Sequence, residues 1–117
     1  MRNVKKEKDL KNVKIWKALN NIWEVLADLV TDMKKKGIEV PEDAMTSLRC
    51  CKSLIEHFKS HIGNPMECDT PECRRLLSKV MSDITNLESY LILICVNKLG
   101  EKYAREWSKK LMAARFG

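Results

Sequence analysis

Proline and glycine are scarce in this chain: three of the first and four of the second among 117 residues. So little punctuation suits a few long helices. No apolar run approaches the ~20 residues that a membrane-spanning helix requires. The longest uncharged apolar run is Tyr90 to Val96. The amino terminus is charged and lacks the apolar segment of a secretory signal. A cytoplasmic protein with no membrane association is therefore expected. Five cysteines in a reducing compartment are then mostly free thiols, and the odd count agrees. Also missing are a Gly-rich phosphate loop, a carboxylate pair along one buried face, and a Ser/His/Asp arrangement anchored by a recognisable turn. Catalysis has no visible basis, and no cofactor is expected.

What is present is heptad spacing. Trp16, Leu19, Trp23, Leu26, Val30 and Met33 step by three and four, as do Ala44, Leu48, Cys51, Ile55, Phe58 and Ile62. A third stripe holds Cys73, Leu77, Val80, Ile84, Leu87, Leu91 and Ile94. A helix carrying such a stripe must bury it against another. Ile15, Ile22 and Leu29 widen the first stripe to nearly three positions in seven, the width of a globular bundle rather than of a thin coiled coil. The fold class is thus all-α: an antiparallel helical bundle of three long helices plus a C-terminal fourth helix or kinked extension.

The punctuation places the ends. Residues 1–8 read as a flexible basic arm, and 9–117 as one bundle domain. The first helix is predicted over about Asp9–Lys36. Lys34, Lys35 and Lys36 complement its dipole, and a left-handed Gly37 would fold Ile38 back on Met33. Pro41, Glu42 and Asp43 open a second helix that runs to about Ile62. The link of about four residues makes the first two helices an antiparallel hairpin. After a loop over 63–70, with Thr70 as N-cap, the third helix is predicted over about Pro71–Leu99. Its Tyr90–Val96 segment is apolar on every side and so is expected to be buried on every side. Either the C-terminal segment folds back over it or a second subunit covers it. Gly100 breaks or kinks the helix, and Tyr103, Trp107, Leu111 and Ala114 line a fourth over about 101–115.

Charge is uneven within the net +6. Residues 1–36 carry ten cations against five acids, and 97–117 carry six against two. The middle is acidic, at six against nine. Basic ends attract phosphates or an acidic protein through their summed field, although lysines commonly do no more than solvate a helix face. A non-specific nucleic-acid interface would rest on Lys102, Arg105, Lys109, Lys110 and Arg115, with Lys5, Lys6, Lys8, Lys11 and Lys14 as an arm. No helix–turn–helix spacing, aromatic stacking surface or RNA-module signature supports it, and Trp16 and Trp23 sit on the core stripe.

Two further candidates compete with bland readings. His57 and His61 share a helical face, and Cys68 and Cys73 follow, which are zinc's preferred donor types. Against a metal site, four residues separate the cysteines and the order is the reverse of a zinc finger. Cys68 and Cys73 could instead form a disulfide, or Cys73 a reactive thiol at a helix start; its core position argues for an inert, buried group. Cys51 and Cys95 fall on apolar positions and read as small core residues. The Tyr90–Val96 run motivates the leading expectation: a homo-oligomeric or protein-interaction module contacting its partner through Tyr90, Leu91, Ile92, Leu93 and Val96.

Lys36-Gly-Ile-Glu-Val-Pro-Glu42, Leu48-Arg49, Leu87-Glu-Ser-Tyr-Leu91 and Glu106-Trp107 together resemble a small archaeal family of helical proteins of unknown function. The likeness spans about residues 15–110. It implies helix boundaries and core positions, and no activity.

Overall fold

A computed structural model describes residues 4–59 and 71–116, with side chains at 14–57, 71–72 and 74–116. Among these residues there are four helices and no strand: α1 (Val4–Lys35), α2 (Glu42–Lys59), α3 (Pro71–Leu99) and α4 (Glu101–Phe116). The protein is an all-helical bundle. Helix α1 starts at Val4 rather than near Asp9. Helix α2 starts one residue after Pro41, whose carbonyl accepts the Met45 amide at 3.2 Å and so closes the first turn.

The end of α1 follows from its chemistry. Gly37 has φ +80°, a conformation that costs side-chain-bearing residues dearly. Its amide donates to Lys34 at 3.0 Å, and the Ile38 amide donates to Met33, also at 3.0 Å. This pair of bonds is a Schellman ending, as expected from the Lys-Lys-Lys-Gly-Ile run. Gly100 plays a double part. With φ +91° it closes α3 by donating to Val96, and its carbonyl accepts the Ala104 amide that opens α4.

The buried side chains follow the stripes closely. Trp16, Leu19, Leu26, Val30 and Met33 of α1, Ala44, Leu48, Cys51 and Ile55 of α2, and Leu77, Val80, Ile84, Leu87 and Leu91 of α3 form one core. Ala104, Trp107 and Leu111 complete it from α4. Helices α1 and α3 each pack against all three other helices. Two described stripe positions, Trp23 and Ile94, are only partly buried, and Cys95 rather than Ile94 is wholly buried after Leu91. Ile62 and the side chains of Phe58 and Cys73 lie outside the described residues. A straight helix turns 3.6 residues per turn, so a strict heptad drifts round it, and α4 arrives on the side of Cys95.

Candidate interaction surfaces

Helix α4 lies along the second half of α3, so the apolar Tyr90–Val96 segment gains its cover from within the chain. Leu91 and Cys95 are wholly buried, and Ile92, Ile94 and Val96 are partly buried against the core. The expectation of burial on every side is corrected, however: Tyr90 is 40% and Leu93 58% exposed. Neighbours on three sides leave a helix one open face, and these two residues, three apart, share it. Leu91 is therefore an interior residue, while Tyr90 and Leu93 stand outside.

The cover is latched at both ends of α4. At its start, the Tyr103 hydroxyl donates to Oδ2 of Asp32 on α1. Burial, then the bond to Asp32 and its negative charge, push the Tyr103 phenol above its ordinary value. The Lys36 ammonium lies 5.5 Å from the centroid of the same ring. Near the other end, Nη2 of Arg115 donates to both carboxylate oxygens of Glu88 on α3, at 3.0 and 2.9 Å. These partners lie 71 and 27 residues apart. No local pattern announces such pairs; the one hint is a tyrosine on a half-buried stripe, whose hydroxyl needs an acceptor.

The latches divide the five candidate cations of α4. Arg115 is engaged by Glu88. Lys110 is held 4.1 Å from the Trp107 ring centroid. Lys102, Arg105 and Lys109 are exposed, and among the described residues no ion pair or hydrogen bond reaches them. Of the proposed arm, only Lys14 has a described side chain, which is exposed. Trp16 is buried, and Trp23 donates Nε1 to the Leu48 carbonyl at 2.8 Å with Lys52 over its ring. Both tryptophans serve packing.

His57 is exposed near the end of α2. His61, Cys68 and the side chain of Cys73 lie outside the described residues. Among the described residues no group of three or more His, Cys, Asp or Glu is placed to hold a metal. Cys50, Cys51 and Cys95 are free thiols, the first exposed and the others buried. Burial, helped by the charge of Asp83, pushes the Cys51 thiol up to about 11, and burial also raises that of Cys95. Both are protonated near neutrality and poor nucleophiles. Between α2 and α3 an open groove of about 490 Å³ is lined by Arg49, Cys50, Ser53, Leu54, Leu76 and Lys79.

The DUF2096 N-terminal four-helical bundle domain matches residues 19–117. The chain belongs to this family. As a DUF2096 N-terminal domain it is similar to an uncharacterized protein of Methanocaldococcus jannaschii, at 27% identity over 85 residues. That alignment covers 73% of this chain and 42% of the relative, so the chain matches about two fifths of that protein's length. No solved structure matches. The likeness to a small archaeal helical family is thus met by both the DUF2096 match and its archaeal relative. Among the described residues of this DUF2096 domain, no helix is long and apolar enough to cross a membrane.

Proposed function

We propose that this domain is a non-enzymatic interaction module that self-associates through the outer face of α3. The observation that carries this reading is the exposure of Tyr90 and Leu93, in the most apolar stretch of the chain, on a face that α4 leaves open. Ile92 and Val96 flank that face, and Leu91 supports it from the core. An aromatic and an aliphatic residue on one exposed helical face favour contact with a matching copy, because a two-fold axis sets each face against itself. The buried thiols of Cys51 and Cys95, raised by burial and held protonated near neutrality, favour no nucleophilic role.

In this reading consecutive helices run antiparallel. Trp23 meeting Leu48, Tyr103 meeting Asp32 and Arg115 meeting Glu88 all favour that arrangement. Free thiols at Cys50, Cys51 and Cys95 favour the cytoplasm. Sedimentation at micromolar concentration tests the module: the parent should run as a dimer or larger, and Leu93→Glu as a monomer. A parent that is monomeric throughout that range overturns the reading.

A further inference from the structure

The outward side of α4 carries Lys102, Arg105, Lys109, Met112 and Phe116, spaced three, four, three and four apart and all exposed. Ala104, Trp107 and Leu111 occupy the opposite side, in the core. At a rise of ~1.5 Å per residue each cation stands ~4.5–6 Å from the next along the axis. None of them has an ionic or hydrogen-bonded partner among the described residues. Met112 and Phe116 end the row at 61% and 81% exposure, the two most exposed large apolar side chains described.

We propose that this face binds single-stranded nucleic acid, with successive phosphates on Lys102, Arg105 and Lys109 and an unpaired base stacked on Phe116. Charge complementarity selects the occupant: three cations in a line, on a chain of net charge +6, call for a regularly spaced polyanion. None of the three is ion-paired among the described residues, although Glu101 and Glu106 lie a turn away. A duplex strand places one phosphate per ~3.4 Å of axis, and an extended single strand lengthens that interval toward the spacing of the cations. An aromatic ring at the end of the row can take a base only when the base is unpaired. An acidic helix or an anionic lipid surface would need apolar anchors along the whole face. Between Lys102 and Lys109 the row has none.

Fluorescence anisotropy of a labelled oligothymidylate with the full chain tests this. Three phosphate contacts on a single strand predict a log–log salt slope of about −2, hence roughly twenty-fold weaker binding at 200 mM than at 50 mM salt. Arg105→Glu with Lys109→Glu should abolish most of the binding. The milder pair Arg105→Gln and Lys109→Gln should flatten the slope by about 1.4, and it decides the matter should the double reversal lose its helical signal. Phe116→Ala should weaken binding about tenfold with the slope unchanged. Lys79→Gln, on α3, should leave binding within about twofold, as a lysine outside the row. Equal affinity of parent and Gln variant, no binding at 50 mM salt, preference for a duplex, or binding to anionic vesicles or an acidic peptide instead would each overturn the proposal. Leu93→Glu lies off this row and should bind the strand as the parent does, so this inference and the self-association reading fail separately.

Discussion

Tyr103 at the start of α4 gives its hydroxyl proton to Asp32 at the end of α1, joining residues 71 positions apart. Through this bond, the helix that follows Gly100 is tied to the helix that ends at Gly37.

Removing the hydroxyl tests that tie. Tyr103→Phe keeps the ring beneath Lys36 but leaves the partly buried Asp32 carboxylate without its donor. The expected loss is about 1–3 kcal/mol in urea unfolding. Asp32→Asn, which retains an acceptor oxygen, should cost less. An unchanged midpoint in Tyr103→Phe would mean that the bond contributes nothing to the docking of α4.

The same bond predicts a response to alkali. The Tyr103 phenol is raised above its ordinary value of 10.0. In the unfolded chain the tyrosine loses its proton near pH 10, while in the folded protein it holds it. Its contribution is therefore complete below pH 10 and is lost as pH climbs from there toward the folded value. Unfolding free energy should fall with rising pH above 10, and less steeply in Tyr103→Phe. Identical pH dependence in the two proteins would contradict the assignment.

Core truncation tests the seam. Ile84 and Leu87 of α3 are almost wholly buried. Ile84→Ala or Leu87→Ala should each cost roughly 2–5 kcal/mol by denaturant unfolding. Leu93→Ala, on the open face, should cost far less. Losses near zero at both core positions would mean that the buried seam is misplaced.

Gly37→Ala isolates backbone strain. A Cβ there would meet nothing within 4 Å, so the left-handed φ of +80° is the whole obstacle. The expected loss is about 1–2 kcal/mol, read as a lower melting temperature. Gly37→Asn should lose less, since asparagine tolerates that conformation better. A neutral alanine would show that the helix ends without the left-handed turn.

Thiol labelling separates neighbours in sequence. Cys50 is exposed, whereas the adjacent Cys51 is buried with its thiol pushed up to about 11. With Cys68 and Cys73 replaced by serine, the folded protein at pH 8 should label once, at Cys50. Replacing Cys50 by serine as well should abolish labelling until denaturant is added. Rapid labelling of Cys51 in that variant would disprove its burial.

Much of the architecture was already legible along the chain. Helix boundaries at Gly37, Pro41, Pro71 and Gly100 rest on φ preferences and on backbone bonds that reach only a few residues. The core stripe of each helix rests on a local period. Such properties are encoded within a turn or two, so reading the residues in order recovers them. The relations that define the surfaces have no local signature. Whether Ile94 is fully or only partly buried, whether Tyr90 and Leu93 stay outside, and which cations of α4 meet a carboxylate all depend on where one helix lies on another. Arg115 and Lys109 look alike in the sequence, yet only Arg115 meets a carboxylate. Periodicity made this chain a helical bundle, because apolar stripes must be buried; packing decided which side chains face outward, because that depends on contacts between helices distant in sequence.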